Sequence, residues 1–97
     1  MPTYVCLFNW TQKGIEEVKG SPKRLDAVKK TFSELGVEIK EFYLTMGRHD
    51  LVVIMEAKDD AAMARGLLAL GSRGAVRTET LRAFGEGDYR KIIGSLP

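Results

Sequence analysis

Hydrophobic residues along the chain form short runs whose spacing alternates between that of strands and that of helices. Residues 4–10 and 51–55 are apolar at both odd and even positions, which is typical of strands covered on both faces. Residues 37–46 and 75–84 also have strand character but carry several charges, and charged strands suit sheet edges that solvent can reach. The pattern predicts four strands, with the first and third at the centre of the sheet.

A helix with clear boundary signals is predicted between the first two strands. Ser21 is a suitable N-cap, Pro22 suits the first helical position, and Gly36 suits the position just beyond the helix. One apolar stripe follows at helical spacing, formed by Leu25, Val28, Phe32 and Leu35. A shorter helical turn capped by Thr11 is predicted over residues 11–18, separated from the main helix by a break at residues 20–22.

A second helix is predicted between the third and fourth strands. Asp59 and Asp60 open it, because acidic groups complement the positive end of the helix dipole. Its inner stripe is predicted to consist of Met63, Leu67 and Leu70, supported by Ala64 and Leu68. Gly66 lies in mid-helix at a cost of about 1 kcal/mol relative to Ala, which hints at close backbone packing.

The order of these elements is β-α-β-β-α-β, followed by a short helical tail over residues 86–93. Residues 47–50 join the second and third strands as a hairpin turn. This order predicts an α+β, ferredoxin-like fold: a four-stranded antiparallel sheet with helices on one face. With 97 residues, the chain is expected to form a single domain over residues 1–97.

The central strands are apolar on both faces, yet two helices can cover only one face of a four-stranded sheet. The tail, with Tyr89, Ile92, Ile93 and Leu96, could cover part of the second face. A large uncovered apolar face is an association surface. The sequence therefore predicts a homodimer in which sheet packs on sheet, with a core or a cavity between the two copies.

Composition and charge narrow the classes of function. Lys and Arg number 15 against 13 Asp and Glu, a net charge of +2 that does not indicate a nucleic-acid partner. One cysteine and one histidine exclude a disulfide framework and a two-His metal site, and no metal or cofactor is expected. No apolar run approaches the roughly 18 residues of a membrane span. The missing secretory signal and the free thiol of Cys6 predict a cytoplasmic protein without a membrane partner.

The hairpin holds the most reactive residue types of the chain. Imidazole side chains in general can take up and release a proton near neutral pH, so His49 could act as a general acid or base if Asp50 oriented its ring. A turn explains the same residues, because Asp is favoured where its carboxylate can accept bonds from nearby backbone N–H groups. Cys6, within an apolar strand, is expected to be a small buried hydrophobe and not a nucleophile.

Several polar or amphipathic residues of the strands and the hairpin could line a cavity between two sheets. An apolar cavity with a few placed polar groups is what a small-ligand site needs. The alternative is that these side chains pair across strands or rim a dimer. The candidate ligand-binding residues are Asn9, Trp10, Tyr43, Thr45, Arg48, Thr78 and Arg82.

The segment YLTMGRHDLVVI at residues 43–54 resembles the signature of the GYD domain family. Further similarities lie at residues 21–25, 69–72 and 76–84, so the resemblance spans nearly the whole chain. It implies a dimeric α/β-barrel fold among small bacterial and archaeal proteins whose activity is mostly unassigned. The chain departs from the family at its naming position, where His49 stands in place of tyrosine.

A more distant similarity concerns the ligand-sensing half of leucine-responsive transcription regulators, which have a comparable hairpin and a Gly-Val-x-x-Thr run. That similarity implies small-molecule sensing at subunit interfaces. No helix-turn-helix precedes the domain in these 97 residues, so DNA binding is not expected.

Three hypotheses of function follow from the sequence. The first is a non-catalytic homo-oligomeric module that binds a small molecule or assembles in a stress or regulatory role. The second is a cofactor-independent enzyme of the dimeric α/β-barrel type, such as a small oxygenase or isomerase, that uses His49 and Asp50. The third is a purely structural oligomer without an enclosed cavity. The fold alone does not separate them.

Overall fold

The computed structural model describes residues 1–97 and contains one antiparallel sheet of four strands. The strands are β1 (Thr3–Trp10), β2 (Val37–Leu44), β3 (Leu51–Ala57) and β4 (Val76–Ala83). Their order across the sheet is β2-β3-β1-β4. The two apolar strands are therefore central and the two charged strands lie at the edges, which confirms the predicted topology.

The helices follow the predicted βαββαβ order. They are α1 (Gln12–Glu16), α2 (Ser21–Glu34), α3 (Asp60–Gly71) and α4 (Glu86–Gly94), with a 3₁₀ turn at Val18–Gly20 between α1 and α2. None of them combines the length and the apolar character that crossing a membrane requires.

The predicted N-cap at Thr11 forms, and Asp59, predicted to open the second helix through its charge, also serves as an N-cap. The side chain of Thr11 accepts a hydrogen bond from the Gly14 amide at 3.1 Å, and Asp59 accepts one from the Ala62 amide at 2.8 Å. The prediction for Ser21 is wrong, because the 3₁₀ turn runs directly into α2 without the expected break. Ser21 already has helical backbone angles, φ −62° and ψ −35°, and an N-cap requires an extended residue.

The core lies between one face of the sheet and helices α2 and α3. Phe32 and Met63, each 2% exposed, pack from the helices against Cys6, Val53 and Met55 of the central strands. The predicted support from Ala64 and Leu68 is wrong. Leu68 is 73% exposed, and the inner face of α3 is completed instead by Ala62 and Gly66, which let the helix approach the sheet closely.

A β-bulge in β2 changes which side chains of this edge strand face the helices. Ile39 pairs with Met55 and Glu41 pairs with Ile54, so Lys40 is an extra residue without a partner in β3. A bulge shifts the alternation of side chains by one position. As a result Phe42 and Leu44 point to the helix side of the sheet, opposite Val53 and Leu51 respectively.

The other face of the sheet has no covering element. We call it the open face; its apolar centre consists of Val5, Leu7, Val52, Ile54 and Leu81, with Leu81 49% exposed. The expectation that the tail covers part of it is wrong, because no residue of α4 is buried and α4 makes no extensive contact with any strand. The molecule measures 51 × 31 × 18 Å, and its radius of gyration of 14.7 Å exceeds the roughly 13 Å of a compact chain of this length.

Candidate functional site

The hairpin between β2 and β3 is tied to the end of β1 by backbone and carboxylate hydrogen bonds. The Asp50 amide donates to the Phe8 carbonyl at 2.8 Å, and the Asp50 carboxylate accepts from the Trp10 amide at 2.9 Å. Thr45 closes the loop, donating from its hydroxyl to the His49 carbonyl at 2.6 Å. The carboxylate of Asp50 thus holds the hairpin in place and does not contact the imidazole of His49.

The partner of His49 is Asn9. Their Nδ1 and Oδ1 atoms lie 3.0 Å apart, and the Asn9 Nδ2 atom donates to the Arg48 carbonyl at 2.7 Å. Because that second bond fixes which end of the amide is the carbonyl, Nδ1 of His49 must carry the proton. The other ring nitrogen, Nε2, makes no hydrogen bond within the chain, and no carboxylate orients the half-buried ring.

The remaining predicted ligand residues lie apart from this hairpin. Tyr43 belongs to the open face, 51% exposed, and donates to the Glu41 carboxylate, a bond that raises the pKa of the Tyr43 hydroxyl. Thr78 and Arg82 lie on the opposite face of the sheet, in edge strand β4. The structure of one copy therefore gathers Asn9, Thr45 and Arg48 at the hairpin but brings neither Tyr43 nor Thr78 and Arg82 to them.

A polar cluster around Tyr4 occupies the helix side of the sheet near β4. The buried Tyr4 hydroxyl donates to the Asp60 carboxylate at the start of α3, and burial together with this bond raises the pKa of Tyr4 to about 12. The Arg82 guanidinium lies over two rings, 5.7 Å from the Tyr4 centroid and 4.4 Å from the Phe84 centroid. These contacts tie the start of α3 and the edge strand β4 to the central strand β1.

Cys6 is fully buried beneath the helices, and burial raises the pKa of its thiol. The Thr80 hydroxyl lies 3.6 Å from its sulfur. A raised pKa disfavours the thiolate, which is the nucleophilic form. The geometry is that of a small buried hydrophobe.

A cavity of about 350 Å³ opens on the helix side of the sheet, between the first half of α2 and the strand ends near the hairpin. Most of its lining is apolar, and two arginines, Arg24 and Arg73, complete it together with Ser21. Of the residues proposed from sequence as ligand contacts, only Trp10 lines it. The signal that could have found it is the pair of apolar residues Phe42 and Leu44 on a charged edge strand.

Comparisons with known proteins agree with this fold. A family model described as the GYD domain matches residues 4–93. A Thermus thermophilus protein named "Glutamine synthetase and cystathionine beta-lyase binding protein" is 37% identical over 89 residues, which cover 91% of this chain and 94% of that protein.

Two solved structures have a similar backbone. The crystal structure of FFRP-DM1 superposes with a TM-score of 0.59 at 21% identity, covering 87% of this chain and 100% of the other. The crystal structure of TTHA0845 from Thermus thermophilus gives a TM-score of 0.52 at 29% identity, covering 88% and 95%. These likenesses support the α+β fold with its four-stranded antiparallel sheet.

Proposed function

The chain belongs to the GYD domain family, and we propose that it is a small cytoplasmic binding module that works as a homodimer and binds a metabolic enzyme. In this proposal the open faces of two copies pack together. The assembled dimer then presents its outer surface to the partner enzyme. No catalytic step is assigned to the chain.

The open face is the main observation that supports a dimer. Four strands about 4.8 Å apart, of seven or eight residues at about 3.3 Å per residue, span roughly 19 by 26 Å. Two such faces packed together bury about 1,000 Å² if each is treated as flat, and the uneven side-chain surface adds to that area. The sum is close to the roughly 1,200 Å² at which specific interfaces begin. The centre of the patch is apolar and its margin carries charges, such as Glu38, Glu79 and Arg77, as in known interfaces.

The exposed tail is a second observation that supports association between two copies. Tyr89, Ile92 and Ile93 are 57%, 43% and 50% exposed and lie at the spacing of one face of α4, and Leu96, 62% exposed, follows just after the helix ends. A single copy gives this stripe nothing to pack against, because no residue of α4 is buried. In a dimer the stripe can add to the area that the sheets bury.

The partner class rests on the Thermus thermophilus relative, whose name describes it as a binding protein for two enzymes. Identity of 37% across nine-tenths of both chains supports carrying the general role, binding to an enzyme, over to this chain. The hairpin geometry also favours binding over catalysis by His49 and Asp50. Asp50 is committed to the Trp10 amide and leaves the imidazole without a carboxylate partner.

The test is direct binding between the immobilised chain of 97 residues and purified enzymes of its own organism. Glutamine synthetase and cystathionine β-lyase are the analytes, and an unrelated oligomeric enzyme of similar size is the control. We expect saturable binding of at least one of the two at micromolar concentration or below, and none of the control. Equal binding of all three enzymes, or no binding at tens of micromolar, would contradict the proposal.

A further inference from the structure

The lining of the cavity beneath α2 is mostly apolar and includes two cationic side chains, the half-buried Arg24 and the exposed Arg73, which we call the mouth. We infer that the cavity is a binding site for a small amphipathic organic anion, a molecule with an apolar body and one carboxylate. The site is distinct from the open face, because the strand residues that line it, such as Phe8, Leu51 and Val76, all point to the helix side.

The cavity lies beside the part of α2 whose apolar residues are least buried. Phe32, in the second half of the helix, is 2% exposed and seated in the core, whereas Leu25 and Val28 are only half-buried and face the cavity. Across from them the bulge in β2 turns Phe42 and Leu44 toward the same space. A volume of about 350 Å³ falls in the lower part of the range for small-ligand pockets, about 300–1,000 Å³.

The charges at the mouth are unbalanced. Arg24 comes from α2 and Arg73 from the turn after α3, and no acidic residue lines the cavity. Neither guanidinium lies within 4 Å of a carboxylate, since the ion pairs of the chain are Lys40–Glu38 and Arg90–Glu86.

One of the two guanidiniums is also positioned by the backbone. Arg24 donates from Nη1 to the Glu17 carbonyl at 2.9 Å, which holds the group near the 3₁₀ turn and leaves its other N–H groups for a ligand. Guanidinium groups bind carboxylates through paired, charge-assisted hydrogen bonds. An apolar ligand with a single carboxylate can place its apolar body against the apolar lining and its carboxylate beside the two guanidiniums.

The only tryptophan of the chain, Trp10, lines the cavity and reports on its occupancy. The probe is decanoate, and its neutral isostere is 1-decanol, both titrated below the concentration at which they self-associate while Trp10 emission is recorded. We expect a saturable change with decanoate and a Kd at least tenfold lower than that of 1-decanol. Equal affinity for the two, or no saturable change with either, would overturn the proposal.

A pair of double variants separates the site from general surface charge. Arg24→Gln with Arg73→Gln removes both guanidiniums of the mouth, and Arg65→Gln with Arg90→Gln removes the same charge from exposed positions outside the lining. We expect the first pair to lose the preference for decanoate and the second pair to keep it, with unchanged circular dichroism in both. A preference that survives the first pair, or that disappears equally in both, would also overturn the proposal.

Discussion

The two faces of the sheet differ in what covers them, and adjacent residues of β3 show the difference. Val53 is 1% exposed and lies in the core beneath α2 and α3, whereas Val52 points to the open face and is only half-buried. Both are valines in the same apolar run. The run predicts that both faces of the strand are covered, but this chain covers only the face of Val53, and in our proposal a second copy covers the face of Val52.

The largest effect is expected from Val53→Asp. A carboxylate placed among Phe32, Met55 and Met63 has no partner, and an unpaired buried charge costs several kcal/mol. This is a large part of the roughly 5–15 kcal/mol that stabilises a domain. Circular dichroism during thermal unfolding should show an unfolded or strongly destabilised chain, and a wild-type Tm would show that this face is not the core.

Val52→Asp is the matched change on the other face. Its carboxylate stays hydrated in one copy, so the fold should survive, but a dimer would bury two of them against apolar side chains. We expect the dimer Kd to rise at least 100-fold, about 2.7 kcal/mol. Sedimentation equilibrium measures that constant. A variant that unfolds as Val53→Asp does, or that dimerises as well as the wild type, would break the distinction between the faces.

The free energy of unfolding should also fall at high pH, because the Tyr4 hydroxyl is buried on the covered face. The pKa of Tyr4 is raised to about 12 in the folded chain, against about 10 in the unfolded chain. Between these values the unfolded state releases a proton that the folded state retains, so the free energy of unfolding falls as pH rises from 10 toward 12. The urea midpoint, measured at pH steps over that range, should decline more steeply in the wild type than in Tyr4→Phe.

The Tyr4→Phe variant is the control in this experiment. Cys6 is present in both proteins, and its raised pKa makes the free energy of unfolding of both fall at high pH. Identical pH slopes in the two proteins would show that Tyr4 is not desolvated beneath the helices.

His49→Tyr tests the rim of the open face, because His49 and Asn9 meet at one end of β1. The change removes the bond between Nδ1 and the Asn9 amide, and a hydrogen bond contributes about 0.5–1.5 kcal/mol. We expect a loss of about 1 kcal/mol in urea unfolding, with the dimer intact. Dissociation to single chains would instead place His49 inside the interface.

The smallest expected effect is a gain in stability from a substitution on the covered face, the side of the sheet that packs against α2 and α3. A Cβ added at Gly66 would lie 3.5 Å from the Phe32 ring and 3.6 Å from Val37, which is ordinary contact. Ala is favoured over Gly in a helix interior by up to about 1 kcal/mol. Gly66→Ala should therefore raise the free energy of unfolding by about 0.5–1 kcal/mol. A decrease would mean that α3 and Phe32 approach more closely than their separation here.

Sequence pattern was sufficient for the parts of the fold that depend on local signals. The apolar runs of β1 and β3 predict the central strands, and the cap at Thr11 and the start of α3 at Asp59 are predictable because each depends only on the next few residues. Ser21 was misjudged because its role depends on the 3₁₀ turn before it, whose geometry no single residue type specifies.

The candidate sites depend on three-dimensional placement that the sequence does not encode locally. The bulge at Lys40 decides that Phe42 and Leu44 face the cavity, and an unpaired residue in a strand has no distinctive composition. Asn9 and Trp10 are neighbours proposed for one site, yet alternation along β1 sends Asn9 toward the open face and Trp10 into the cavity. Arg73 reaches that cavity from a turn far along the chain.

Sedimentation velocity of the wild-type chain at micromolar concentration tests the central claim most directly. If the open face is covered by a second copy, the sedimenting species has twice the chain mass of 10.8 kDa. Val52→Asp should sediment as a folded single chain under the same conditions. A wild-type protein that sediments as a single 10.8 kDa chain would contradict the dimer and leave the open face to some other partner.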